Sequence, residues 1–153
     1  MAQFRITKYN PDKRLPDGTY KNQKEWKCFS DVGSSVTLAK YEEIEQAYID
    51  SVVQIFTFCK VNTFTISGLE NRSGECPLKE GDAVDLNNLK KLMKAILRDE
   101  YRCRLENNRF FIHFADDYYM YVCAPEIPEF IKKKINKRSL YVESFKSPIR
   151  GRS

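Results

Sequence analysis

The chain has 153 residues, a net charge of +5, and is 42% hydrophobic and 13% aromatic. That length suits one domain burying roughly 70% of its unfolded surface, and the composition excludes a disordered tail. The charge is sorted by position: 8 Lys/Arg against 4 Asp/Glu over residues 1–40, 10 against 16 over 41–130, and 8 against 1 over 131–153. The acidic centre argues against taking the overall basicity as a nucleic-acid footprint.

Phe4 to Tyr9 alternates and predicts a strand, ended by Asn10-Pro11. Residues 10–25 hold Pro11, Pro16 and Asp17-Gly18 and predict a long surface loop. Trp26, Phe29 and Val32 bring the chain back to the core, and Gly33-Ser34-Ser35 marks another loop. Thr37 is placed to cap a helix over 39–60, although Lys40 leaves the capping box incomplete. Ile44, Tyr48, Val52, Ile55 and Cys59 line one face of it. Val52 to Phe58 is apolar nearly all round, which predicts burial on both sides. A strand over 62–69 and a loop over 70–84 follow. Asp85 then caps a second helix carrying Leu86, Leu89, Leu92, Met93, Ile96 and Leu97 on one stripe.

Tyr101 to Leu105, Arg109 to Phe114 and Tyr118 to Cys123 predict a three-strand meander, with Asn107-Asn108 and Ala115-Asp116-Asp117 as turns. Pro125 and Pro128 open a short helix over 127–136, and Leu140 to Phe145 forms a last strand. Residues 147–153 read as a flexible basic tail after a single domain over 1–146. Helices do not alternate regularly with strands. The expectation is therefore an α+β domain: a mixed or antiparallel sheet of five to six strands, with about three helices mainly on one face.

Five cysteines at 28, 59, 76, 103 and 123 form no Cys-x-x-Cys clamp. Met1 to Arg5 has no apolar h-region, and no apolar run is long enough to span a membrane. Reduced thiols in a cytoplasmic protein are expected. The single histidine, His113, is flanked by Ile112 and Phe114 and lies three and four residues before Asp116 and Asp117. A His–Asp pair could do acid–base work, but a solvent- or partner-facing histidine is the plainer reading. No nucleophile elbow, Walker loop or dinucleotide fingerprint is present. No catalytic residue, cofactor or metal site is expected.

Lys132-Lys133-Lys134 with Lys137-Arg138 is the best nucleic-acid signal. On a helix, Lys133, Lys134, Lys137 and Arg138 group on one side, where phosphates would suit them. The plain alternative is that this helix buries Phe130, Ile131 and Ile135 and leaves its lysines in water. Asp116 to Tyr121 is the sharpest local feature. Strand alternation sets Tyr119 and Tyr121 on one face and Tyr118 and Met120 on the other, so one tyrosine set is expected to be partly exposed beside two carboxylates.

Arg5 to Pro11, Glu25-Trp26 and Ser30 to Gly33 resemble the opening of a group of small bacterial proteins. Leu97 to Glu100 with Leu105-Glu106, and above all Phe111 to Tyr121, resemble their middle and most distinctive segments. The match covers most of residues 4–122. It departs at Ala115, where the group carries glycine, and the basic segment after 130 lies outside it. Some members resemble immunity proteins encoded beside polymorphic or contact-dependent growth inhibition toxins. The resemblance implies a non-enzymatic protein that neutralises a cognate toxin by binding it, and assigns no binding residue. The residues add a candidate surface for a basic toxin such as a nuclease: Glu42, Glu43, Glu45, Asp50, Asp116 and Asp117 for steering, with Tyr118, Tyr119 or Tyr121 as anchor. The alternative is a nucleic-acid-binding domain using the 132–138 helix.

Overall fold

The computed structural model describes residues 1–20, 25–73 and 75–149. Among these residues seven strands form one sheet: β1 (Ala2–Thr7), β2 (Thr63–Asn71), β3 (Ala83–Asp85), β4 (Tyr101–Asn107), β5 (Phe110–Phe114), β6 (Met120–Ala124) and β7 (Tyr141–Ser144). Their order is β3-β2-β4-β5-β6-β1-β7, and every pairing is antiparallel. The α+β expectation holds, with more strands than expected. The addition is β3, three residues that the sequence places in a loop. Both edge strands are short, which limits edge-to-edge pairing.

Helix α1 (Leu38–Phe58) starts where Thr37 accepts the Lys40 N–H at 3.2 Å. Helix α2 (Leu86–Leu97) starts where Asp85 accepts the Asn88 N–H at 2.8 Å. Helix α3 (Glu129–Lys137) buries Ile131 and Ile135. All three pack on one face of the sheet. Phe4 and Ile6, Phe64 and Ile66, Cys103 and Leu105, Ile112, and Met120, Val122 and Ala124 meet the helices in one hydrophobic cluster. The end of α1 departs from expectation. Phe58 is 44% exposed, in edge contact with Phe130 at 55%. Among the described residues only the partly exposed Phe130 ring is in ring contact with Phe58 there, so apolar composition alone does not make that side of α1 central. No helix among the described residues is long and apolar enough to cross a membrane.

The opposite face of the sheet is polar in sequence yet largely buried. One cross-strand row runs Ser67, Arg104, His113, Tyr121, Arg5, Glu143, each residue in register with the next. Arg104 Nη2 donates to Ser67 Oγ at 3.0 Å. Gly68 beside it takes φ +66, and a Cβ there would come within 3.2 Å of Arg104 Nη2, so glycine serves both the bulge and the close approach. At the β1–β7 end, residues 9–20 fold over the sheet. Tyr9 stacks on Tyr20 at 5.1 Å, and Tyr20 is buried. The expected surface loop thus contributes a packed aromatic layer. It covers Arg5, whose guanidinium lies 3.8 Å from the Phe145 ring centre and donates to Glu143.

The basic tail is held at its start. Ser147 N–H donates to Gln3 Oε1 at 2.8 Å, so the expected fraying does not begin at 147. Residues 150–153 lie outside the described residues.

Candidate functional site

The site builds from the β5–β6 connection. Ala115 N–H donates to the Tyr119 carbonyl at 2.9 Å and Tyr119 N–H to the Asp116 carbonyl at 3.4 Å. The two residues between, Asp117 and Tyr118, have φ of 62° and 65°. This is the type I′ pattern that suits right-twisted strands and ordinarily takes Asn-Gly or Asp-Gly. Aspartate tolerates the left-handed region, whereas a tyrosine there costs roughly 1 kcal/mol or more. Tyr118, expected to open a strand, lies in the turn, which lacks its usual glycine.

Three tyrosines, with the hydroxyl of Tyr118 itself, hold this turn. Tyr9 OH donates to the Asp117 carbonyl at 2.8 Å. Lys8 N–H donates to Tyr48 OH at 3.0 Å, and Tyr48 OH in turn donates to the Tyr118 carbonyl at 2.8 Å. The Tyr118 hydroxyl donates to the Leu97 carbonyl at 2.5 Å and lies 3.0 Å from the Tyr41 hydroxyl. Burial raises the pKa of Tyr9, Tyr41, Tyr48 and Tyr118, so these hydroxyls remain protonated donors. Trp26 packs edge-on against both Tyr41 and Tyr118.

The turn forms one wall of a cleft of about 350 Å³, shared with Phe29, Leu97, Asp99 and Arg102. Asp116 is exposed and pairs with Arg102, and Asp99 takes a two-toothed contact from Arg72 Nη1 at 2.8 and 2.9 Å. Asp117 is half-buried and makes no ion pair among the described residues. Asp99, Asp116 and Asp117 thus meet Lys27, Arg72 and Arg102 around one opening. The surface is patterned in charge rather than acidic.

The structure divides the other candidates. Glu42 and Glu43 are exposed on α1, and Glu42 is near enough to Arg98 to help raise its pKa, behind the larger effect of Glu45. Glu45 is 3% exposed and receives Arg98 Nε and Nη2 at 2.9 and 3.0 Å, so it fastens α1 to α2 and is no steering charge. Asp50 is half-buried and accepts from Gln46 and Arg138 at 2.9 and 2.7 Å.

The adhesive tyrosine face is also corrected. Tyr118 lies in the helix-side core, and Tyr121 is 2% exposed in the row on the opposite face. Tyr119 is half-buried, its hydroxyl accepting the Tyr20 N–H at 2.6 Å. The two tyrosine sets fall on opposite faces as expected, although Tyr118 lies in the turn and not in a strand, and both faces are covered. Lys133, Lys134 and Lys137 are exposed on α3, and Arg138 is exposed just past its end. Lys133 and Lys137 border a groove shared with Val142, while Arg138 is engaged by Asp50.

His113 is 1% exposed, not solvent-facing, because residues 145–149 cover its part of the sheet. Burial, aided by the Arg104 charge, lowers its pKa to about 4. It lies on the opposite face from the Asp116–Asp117 turn and forms no pair with it. Among the described residues no group of three His, Cys, Asp or Glu could hold a metal ion, and the five cysteines are unpaired.

No family model, curated protein or solved structure matches the chain.

Proposed function

We propose that the protein is a non-enzymatic immunity-type inhibitor that neutralises a cognate bacterial toxin by protein–protein contact, with the Asp116–Asp117 turn at the centre of the contact. The observation that supports this reading is the left-handed Asp117–Tyr118 pair, held by Tyr9, Tyr41 and Tyr48 and by the Tyr118 hydroxyl itself at the rim of the cleft. A backbone strained in a rigid setting is a common feature of binding segments. A turn already fixed in place loses little entropy on docking. Asp116, Asp117, Asp99, Arg72 and Arg102 would set register and partner choice through opposite charges on the toxin. Glu42, near Arg98, and Glu43, paired with Lys40, extend the charged surface along α1. Because the site is balanced in charge, its association should depend only modestly on salt.

The test begins with capture from the source cell's lysate, with and without nuclease, at low and moderate salt. The expected result is one polypeptide that survives both treatments, arrests growth when expressed alone, and is silenced by co-expression of this chain. Recovery of nucleic acid, lost with nuclease and salt and with Lys133, Lys134 and Lys137 changed to glutamate, would overturn the reading in favour of the α3 surface.

A further inference from the structure

A second opening lies on the other side of the sheet, away from the proposed toxin contact. It is an open cleft of about 690 Å³ between β4, β5, the start of β1 and residues 146–149. That volume is within the usual range for small-molecule sites.

His113 lies in its wall, and two contacts fix the imidazole. Phe111 stacks on one face, with centroids 4.0 Å apart and planes 8° apart. Nδ1 is 3.0 Å from Ser147 Oγ. Ser147 is itself held, its N–H on Gln3 and its Oγ accepting the Ile149 N–H at 3.2 Å. Ser147 Oγ lies 3.0 Å from Nδ1 against 3.5 Å from the Ile149 carbonyl, and the Glu106 carboxylate faces Nε2, so we assign the hydroxyl proton to Nδ1 and the ring's own proton to Nε2. That Nε2–H has no hydrogen-bond partner among the described residues, although the side chain is 1% exposed. The nearest carboxylate oxygen, Glu106 Oε1, is 3.9 Å away and is also paired with Arg104 at 3.3 Å. A donor buried without an acceptor is costly, so an acceptor belongs beside it.

The rim has the opposite character. Arg109 and Lys146 are exposed there, which makes the mouth cationic. A hydroxyl between Nε2 and Glu106 would accept from the imidazole and donate to the carboxylate. A carboxylate at the other end of the same molecule would meet Arg109 and Lys146. We propose that this cleft binds a small hydroxycarboxylate, with its hydroxyl on His113 and Glu106 and its carboxylate at the Arg109–Lys146 mouth. The proposal does not rest on the toxin-binding reading.

His113 is the only histidine in the chain, so its ring resonances need no assignment. The ¹⁵N-labelled protein is titrated with 4-hydroxybenzoate, benzoate and phenol, each up to about 10 mM, while the imidazole is followed by NMR. The expected result is a saturable shift with 4-hydroxybenzoate at a Kd below about 1 mM, and binding at least about tenfold weaker for each of the other two. The double variant Arg109→Ser/Lys146→Ser should weaken 4-hydroxybenzoate about tenfold and leave phenol unchanged. An unresponsive imidazole would make His113 a structural residue satisfied by water and overturn the proposal. Equal shifts with all three probes, or a double variant that binds like the wild type, would overturn it as well.

Discussion

Removing the Glu143 carboxylate should be among the most damaging single changes to this fold. Four donors converge on it: Arg5 Nε at 3.1 Å, Arg5 Nη2 at 3.0 Å, Arg14 Nη1 at 2.9 Å and Tyr20 OH at 3.0 Å. The Arg5 side chain is 1% exposed and that of Glu143 is 6% exposed. Breaking one partner of a buried pair costs about 3–5 kcal/mol, because the other charge stays buried. Here the Gly18 carbonyl, 2.6 Å from Arg5 Nη1, and the surrounding rings retain part of the compensation. We therefore expect Glu143→Ala to cost about 3 kcal/mol. For a chain of this size that is a fall in Tm of about 6–12 °C. Arg5→Met/Glu143→Leu removes both charges together and should remain within about 2 kcal/mol of the wild type. Urea and thermal unfolding, followed by circular dichroism, measure both. A loss below about 1 kcal/mol in Glu143→Ala, or a double variant less stable than the single one, would refute the idea that the uncompensated charge dominates.

Asp85→Ala deletes the acceptor for Asn88 N–H and should cost about 1 kcal/mol in thermal unfolding, while Asp85→Asn should cost little. His113 sets a pH dependence. Its folded pKa of about 4 lies below the ordinary 6.5, so the unfolded chain binds its proton first as pH falls. Its contribution is intact above pH 6.5 and is lost between pH 6.5 and 4, by about 2–3 kcal/mol at pH 4.5. His113→Gln should flatten that part of the curve in urea unfolding at pH 7 and 4.5, and an unchanged slope would count against a buried neutral imidazole. Asp117→Gly relieves a left-handed aspartate and should be neutral or stabilising by up to about 1 kcal/mol. Tyr118→Gly also relieves φ but empties the core position, and melts should show a loss above about 3 kcal/mol.

Periodicity and capping residues made the helices and the meander legible. Thr37, Asp85 and the stripe from Ile44 to Ile55 act locally, and the structure keeps each of them in that role. What the sequence concealed was what covers each surface. Arg5 and Glu143 sit among apolar neighbours on alternating strands, which marks them for the face opposite the core. Nothing local shows that Tyr9, Tyr20, Tyr119 and Phe145 close over that face. The same cover withdraws Tyr121 and His113 from solvent. Glu45 fits the outward side of α1 by composition, but Arg98 at the end of α2 draws it in. Asp116 and Asp117 were legible as a turn. Its type I′ geometry was not, because a tyrosine stands where glycine normally does, held by partners from the segment after β1, from α1 and from α2.

The decisive measurement is growth rescue from the captured toxin by Asp116→Lys/Asp117→Asn, a variant that keeps a residue tolerant of left-handed backbone at 117. Circular dichroism first establishes that it melts like the wild type. We predict that it folds and fails to rescue, with toxin affinity reduced at least about tenfold. Full rescue by the folded double variant would contradict the assignment of the Asp116–Asp117 turn as the toxin contact.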